Sequence, residues 1–405
     1  MNGAKGKCRF PDQVSSEKPK HNPKQRRLSM LNNPANQLQA SRGSLQDGHD
    51  DRLSAEVDTV IPATLQTLEE TDELLGAAIG DGRVFVGPEA SPPFPEGIVA
   101  DENRVYVAGP AAFGDNGGRP SEVRVFHRLS GKLLTIILIQ GEQLSEIHGV
   151  AGLTVDSQNR VYVVSNQLGI VRLSPHGNAY KQEIYSPVLP EVNCNPALPP
   201  SLPCSLPNEI TFGPDGYLYW SDSFQNIIFR VPPGGGVAER WFHSDRLAGS
   251  VSAPFPVGPN GIKVSPNGTE MYIAVTTSNT SPGGAIYRLA FVAAPQERDL
   301  KLFHQYTQGE MPDGIAFGKS GKLYVALQSP SGVSILNPDG TEGARLAGPP
   351  NSPIAYDAPA DFAFDQRGSV LVTNHALFSG NPASFAVLKA FVKDRGVDVN
   401  VPHLP

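Results

Sequence analysis

The chain has 405 residues and a formal net charge of −7 at pH 7, which argues against a nucleic-acid groove in its folded part. Its longest apolar run, LLTIILI at residues 133–139, has the length of a buried strand and is far below the ~18 apolar residues that a membrane helix needs. The sequence therefore predicts neither a nucleic-acid partner nor a membrane partner, and it does not indicate an oligomeric state.

The N-terminal segment, residues 1–55, is predicted to be a disordered tail. It is rich in Lys, Arg, Asn, Ser and Pro and has no apolar periodicity, so it cannot bury enough surface to offset its chain entropy. The stretch KPKHNPKQRR within it is open to interpretation as a nuclear-import or nucleic-acid patch. A solvated tail is favoured because no aromatic residue accompanies the charge.

Residues 56–82 are predicted to form a short helical or linker segment. Apolar positions in ATLQTLEETDELLGAAI, residues 63–79, recur near helical spacing. No secretory leader is visible before it, so a cytoplasmic location is the default expectation. Export is the alternative if Cys194 and Cys204 form a disulfide.

Residues 83–400 are predicted to form an all-β, six-bladed β-propeller. Short β-rich runs alternate with Gly and Pro, and one hairpin pattern recurs roughly every fifty residues, as in NEITFGPDGYLYWSD and DGIAFGKSGKLYVAL. Six copies predict six blades. The run RVFVGP, residues 83–88, is expected to complete the last blade from the N-terminal side and so to close the ring. The copies begin at positions 96, 151, 208, 260, 313 and 360.

The leading residue of each copy is predicted to face the central channel, because the first strand of each blade lines that channel. Ala151 and Ala360 leave space there, while the other four positions carry oxygen ligands. Carboxylate and amide oxygens with no Cys or His describe a hard-cation site, for which Ca²⁺ is expected ahead of Mg²⁺, Mn²⁺ or Zn²⁺. The predicted metal ligands are Glu96, Asn208, Asn260 and Asp313.

Two of the three cysteines bracket a proline-stiffened loop. Cys194 and Cys204 enclose NPALPPSLP, which a disulfide could close, but two free thiols are an equal alternative because geometry cannot be read from sequence.

The motifs PEG, PNE, PNG and PDG, at residues 95–97, 207–209, 259–261 and 312–314, resemble those of the gluconolactonase/regucalcin (senescence marker protein) family of six-bladed propellers, which is related to paraoxonase-type lactonases. The resemblance covers about residues 84–395. It implies that Glu96, Asn208, Asn260 and Asp313 hold a divalent cation and that the substrate is a small-molecule lactone or related ester. Asp313 is then the expected catalytic base, which takes a proton from the attacking water.

Two departures from the family pattern limit this expectation. Sugar lactonases of the family place an arginine where this chain has Leu206, and paraoxonases place a catalytic histidine where it has Ala151. A more apolar lactone or ester is therefore an alternative substrate. His148 is expected to be a solvent-exposed loop histidine, and His375 a structural residue too far along its hairpin to join the ring.

Two functions from other classes compete with hydrolysis. A propeller can be a non-catalytic ligand-binding or scaffolding module with a structural ion, or a metal-free propeller similar to strictosidine synthase. The second would not need the four oxygen ligands of the ring.

Overall fold

A computed structural model describes residues 77–111, 118–177, 179–196, 198, 202–253, 256–397 and 402–404. These residues form six four-stranded antiparallel sheets, which confirms the predicted all-β, six-bladed propeller. The predicted tail, residues 1–55, lies outside the described residues, and so does most of the segment 56–82. The predicted boundaries at residues 55 and 82 stay predictions.

Each blade is a four-stranded meander whose first strand lies innermost. Blade one contains β2 (Ile98–Ala100), β3 (Arg104–Gly109), β4 (Glu122–His127) and β5 (Leu133–Leu138). Blade two contains β6 (Val150–Val155), β7 (Val161–Ser165), β8 (Gly169–His176) and β9 (Ala179–Ser186). Blade three contains β10 (Pro207–Phe212), β11 (Leu218–Asp222), β12 (Ile227–Val231) and β13 (Glu239–His243).

The remaining blades repeat this order, and three short 3-10 helices lie in the described connections. Blade four contains β14 (Pro259–Val264), β15 (Glu270–Val275), β16 (Ala285–Ala290) and β17 (Leu300–Gln305). Blade five contains β18 (Met311–Phe317), β19 (Leu323–Ser329), β20 (Gly332–Leu336) and β21 (Glu342–Leu346). Blade six contains β22 (Pro359–Phe364), β23 (Ser369–Asn374), β24 (Ala386–Phe391) and, as its outer strand, β1 (Gly82–Val86). The 3-10 helices are Asp245–Leu247, Glu297–Asp299 and Pro382–Ser384.

The ring closes where the N-terminal strand β1 pairs with the C-terminal strand β24, as the sequence predicted. Val86 is 2% exposed and packs in one cluster with Leu371 and Val387 of blade six and Ile98 of blade one. This arrangement removes a free sheet edge and joins the two ends of the repeat.

Deleting residues 1–88, which removes β1, is expected to abolish cooperative folding, because β24 loses its partner and the apolar cluster around Val86 opens to water. Circular dichroism melts and light scattering check this against a chain that lacks residues 1–55 only, which should melt like the full chain. Equal melting of the two truncated chains would contradict the closing role of β1.

Large aromatic side chains build the core both within a blade and between neighbouring blades. Trp220 and Phe229 stack at a ring-centroid distance of 4.3 Å, and the ring of Tyr324 packs edge-on at 5.2 Å against Phe364 of the next blade. Burial of aromatic rings in such pairs is a major apolar contribution to stability. The rigid wall that results holds the inner strands in place around the channel.

The inner strands approach one another closely just after the leading residues. A Cβ atom built on Gly97 would lie 2.6 Å from the carbonyl oxygen of Ala151, and one on Gly314 would lie 2.4 Å from that of Ala360. Such contacts exclude any side chain at these positions, so the backbone itself sets the width of the channel.

Cys194 and Cys204 are joined by a disulfide, which resolves the alternative that the sequence left open. The bridge closes a short loop that leads into β10, and the chain-entropy account gives such a loop about 2–3 kcal/mol of stabilisation. Among the described residues, no helix is long and apolar enough to cross a membrane.

Candidate functional site

The four predicted ligands lie on one face of the propeller, where the inner strands β2, β6, β10, β14, β18 and β22 begin; we call this the front face, and the opposite side the rear face. All four are largely buried: Glu96 is 8% exposed, Asn208 9%, Asn260 3% and Asp313 1%. Buried polar side chains need partners, and their hydrogen bonds show which of their atoms remain for a ligand.

The two asparagines are oriented by hydroxyl groups that directly follow the next strand of their own blades. Ser223 Oγ lies 3.3 Å from Asn208 Nδ2 and donates its own proton to the carbonyl of Pro259 at 2.7 Å. Thr276 Oγ1 likewise accepts from Asn260 Nδ2 at 3.0 Å and donates to the carbonyl of Pro312 at 2.7 Å. Each hydroxyl must therefore accept from the amide NH₂, which leaves the Oδ1 atoms of both asparagines as the oxygens for a ligand.

Asp313 is held by Gln328, whose Nε2 donates to Asp313 Oδ2 at 2.6 Å. Burial raises the pKa of Asp313 well above its ordinary value, and the nearby charge of Glu96 raises it further; the hydrogen bond from Gln328 acts in the opposite direction. A buried carboxylate beside another carboxylate holds its proton more tightly. The charge of Glu96 therefore makes Asp313 harder to deprotonate.

Glu96 has a neighbour that the sequence did not predict. His375 Nδ1 lies 3.0 Å from Glu96 Oε2, and the imidazole is only 3% exposed. The expectation that His375 is too far along its hairpin to join the ring is wrong, because the closed ring places blade six directly beside blade one. Phe94 packs edge-on to this imidazole, with ring centroids 6.1 Å apart.

A second charged layer lies further along the inner strands, and the sequence did not predict it. Glu209 and Asp361 directly follow the leading positions, and Lys263 lies three residues after Asn260. Glu209 and Asp361 are 3% exposed, and Lys263 Nζ lies 3.3 Å from Glu209 Oε1. Burial lowers the pKa of Lys263, but the charges of Glu209 and Asp361 outweigh it and raise the pKa above its ordinary value. Lys263 is therefore a protonated counter-ion in the channel.

The channel carries more negative than positive charge. Glu96, Asp313, Glu209 and Asp361 influence one another electrostatically, and Lys263 is the ammonium that faces the last two. Burial also raises the pKa of Asp361 well above its ordinary value. An excess of buried carboxylates is costly unless a cation compensates it, so the donor set of the front face fits a divalent cation.

The charged side chains at the front face are not grouped as tightly as three ligands of a small ion would be. Ligand atoms of Glu96, Asp313 and His375 do not all lie within 4.8 Å of one another. Oxygen ligands of Ca²⁺ lie at about 2.3–2.6 Å from the ion, so ligands on opposite sides of it are about 5 Å apart.

The stability of the cation-free protein is expected to fall as the pH rises above about 4, the ordinary pKa of an unfolded aspartate. Asp313 has a raised pKa in the folded state, so the folded state binds its proton more tightly; that stabilisation is complete below the unfolded pKa and is lost as the pH rises through the folded one. Urea unfolding between pH 4 and 8, with chelator, measures the slope. Asp313→Asn should make the slope less steep without removing it, because Asp361 keeps its own raised pKa. An unchanged slope in that variant would contradict the assignment.

A large cavity lies at the rear face, away from the four predicted ligands. It has a volume of about 1090 Å³ and is lined by the far ends of the inner strands and their turns, with Lys263 among the lining residues. The front-face ligands do not line it. The second charged layer therefore separates the rear cavity from the front-face ring.

His148 is buried, which contradicts the expectation of a solvent-exposed loop histidine. It is 1% exposed, and its ring nitrogens lie 2.9 Å and 2.6 Å from the carbonyl oxygens of Glu146 and Arg119. Both nitrogens are engaged by the backbone, so His148 acts as a structural residue. Leu206, where sugar lactonases carry arginine, is 6% exposed.

A family model described as the SMP-30/Gluconolactonase/LRE-like region matches residues 255–356. This confirms the resemblance inferred from the sequence motifs, over a part of the chain that contains Asn260 and Asp313. Glu96 and Asn208 lie outside the matched part. No curated protein sequence matches the chain.

Solved structures with a similar fold include the calcium-binding protein regucalcin from Agrobacterium tumefaciens, at 17% identity and a TM-score of 0.54, covering 79% of this chain and 97% of that one. A gluconolactonase from Xanthomonas campestris is 17% identical, with a TM-score of 0.50, covering 78% of this chain and 92% of that one. A luciferin-regenerating enzyme is 13% identical, with a TM-score of 0.53, covering 78% and 98%. At these identities the likeness concerns the fold alone.

Proposed function

We propose that the protein is a cation-dependent hydrolase that opens a lactone or a related ester at the front face of the propeller. The observation that carries this proposal is the ring of Glu96, Asn208, Asn260 and Asp313, in which partner residues take up the amide nitrogens and one carboxylate oxygen. Four oxygen ligands then remain for one divalent cation, Ca²⁺ first by their chemistry. The resemblance to the gluconolactonase family supports the same reading.

The reaction adds water to the acyl carbon, breaks the bond between that carbon and the ring oxygen, and moves one proton from the water to the leaving oxygen. When bound, the cation supplies Lewis-acid polarisation of the carbonyl. Asp313 takes the proton from the water and returns it to the leaving alkoxide.

The proposed substrate class is an apolar lactone or ester. Leu206 offers no charged or polar group for the hydroxyls of a sugar ring. Phe94 and Phe385, whose ring centroids are 4.5 Å apart, form an apolar wall beside His375 and Glu96. An apolar wall favours an alkyl or aryl substituent, so sugar lactones should be the poorer substrates.

A panel of sugar lactones, alkyl lactones and aryl esters tests this proposal, assayed with Ca²⁺, Mg²⁺ or Mn²⁺ and after chelation. Turnover of at least one apolar member that disappears on chelation and returns with the cation would support it. Turnover that persists in chelator would show that the reaction does not need the cation. Cation binding without turnover of any member would leave the non-catalytic binding module as the function.

A further inference from the structure

The longest apolar run of the chain, LLTIILI, does not form a buried strand. Its residues 133–138 form β5, the outermost strand of blade one, which pairs with β4 alone among the described strands. Three large side chains alternate along its exposed side: Leu134 is 49% exposed, Ile136 43% and Leu138 46%. A row of exposed apolar side chains on a folded protein marks an interaction surface.

The other five outer strands carry the charges that protect a free sheet edge. Lysine, arginine or glutamate occurs in each of them: AYKQEIYS in β9, ERWFH in β13, LKLFHQ in β17, EGARL in β21 and GRVFV in β1. The sequence of β5, LLTIIL, contains no charged residue. Charged side chains on an edge strand oppose the addition of a further strand, because pairing would bury them. The edge of blade one lacks this protection.

The backbone of β5 directs hydrogen-bonding groups to its outer side. The amide of Ile139 donates to the carbonyl of Ser121 at 2.8 Å, and the bonding direction alternates from residue to residue along an antiparallel strand. The N–H and C=O groups of Ile136 and Leu138 therefore point away from β4. Gln140 Nε2 donates to the carbonyl of Leu138 at 3.1 Å, and the amide of an incoming strand can replace this bond.

We propose that β5 pairs with β5 of a second copy of this chain, antiparallel and about a two-fold axis at Ile136. In this register Ile136 lies opposite its own copy and Leu134 lies opposite Leu138, so the exposed apolar rows of the two copies cover each other. The exposed Lys132 then lies opposite the uncharged Gln140, so no like charges meet. A strand without charges that is apolar on both sides of its centre matches itself, as a two-fold contact requires.

This pairing leaves the central channel accessible. β5 lies on the perimeter of the propeller, whereas the front-face ring and the rear cavity lie at the two ends of the channel. The dimer joins two four-stranded blades into one eight-stranded sheet by strand addition. The inference therefore concerns a different surface from the proposed function and does not depend on it.

Sedimentation velocity and light scattering of the full-length protein test its state of association. The wild type should be a dimer at micromolar concentration. Ile136→Lys should raise the dissociation constant of the dimer by at least ~100-fold, because the two-fold axis brings the two lysines directly opposite each other. The matched control is Leu302→Lys on the outer strand β17, where the leucine is 48% exposed; this variant should dimerise like the wild type.

Cross-linking tests the register. In a Cys8→Ser background, Ile136→Cys should form a disulfide between two copies on mild oxidation, because the Cα atoms of such an opposed pair lie about 5.5 Å apart. Leu302→Cys should not. A monomeric wild type, a dimer that Ile136→Lys leaves intact, or a dimer that Ile136→Cys fails to link would each overturn the inference. A monomer in which the Ile136 amide is protected from hydrogen exchange would assign this edge to another segment of the same chain.

Discussion

Asp313→Asn is expected to lower kcat for the best lactone or ester by ~10²–10⁴-fold even when the cation saturates the protein, because an amide cannot accept the proton from water. Glu96→Gln has nearly the same volume change and also removes one negative charge. It should instead raise the Kd of the cation by ~10–100-fold, with kcat within a few-fold of the wild type once the cation is in excess.

The comparison of these two variants separates the ligand role from the catalytic role. Steady-state kinetics over a range of cation concentrations give kcat at saturation for each. If excess cation restores both variants equally, Asp313 is a ligand and nothing more, and the water must be deprotonated by another group.

Lys263→Met is expected to destabilise the protein by about 3–5 kcal/mol, the usual cost of removing one partner from a buried charge cluster. Lys263 faces Glu209 and Asp361, and both carboxylates are almost fully buried. Without the ammonium, one of them must take up a proton or remain uncompensated. Chemical denaturation of wild type and variant at pH 7 measures the loss.

The matched control combines Lys263→Met with Glu209→Gln and Asp361→Asn. Neutral amides do not need the ammonium, so the triple variant should recover a large part of the lost stability. A loss below about 1 kcal/mol in Lys263→Met alone would show that water entering from the rear cavity already compensates the carboxylates.

The fold was predictable because the hairpin repeats. Six copies of one hairpin pattern, about fifty residues apart, imply six blades. The strand-like run around Val86 could be recognised as the piece that completes the last blade. The four oxygen-bearing leading positions were predictable for the same reason, since they fall at the same place in each copy. No such regularity exists for the bridged Cys194 and Cys204, whose pairing depends on loop geometry.

The rest of the site depends on contacts between blades, which an alignment of copies cannot show. Within its own blade, His375 lies opposite the start of the inner strand, beside Ala360. Only the closure of the ring brings its side chain to Glu96 of blade one. His148 is fixed by backbone carbonyls, which leave no trace in the side-chain pattern.

The second charged layer left a signal that could have been recognised. Four of the six residues that follow the leading positions are glycines, and the two exceptions are the carboxylates Glu209 and Asp361. A carboxylate at a position where the close approach of the strands otherwise requires glycine indicates a special role. Its partner Lys263 lies two positions beyond the equivalent glycine, Gly261, on the same inner strand.

The ring is expected to bind one divalent cation. The most direct test is the cation content of purified protein that has been stripped with chelator, reloaded and dialysed. Mass-spectrometric metal analysis should find one equivalent per chain in the wild type and about a tenth of that or less in the double variant Glu96→Gln/Asp313→Asn, which loses both ring charges. A wild type that retains no cation, or a double variant that retains as much as the wild type, would contradict the account.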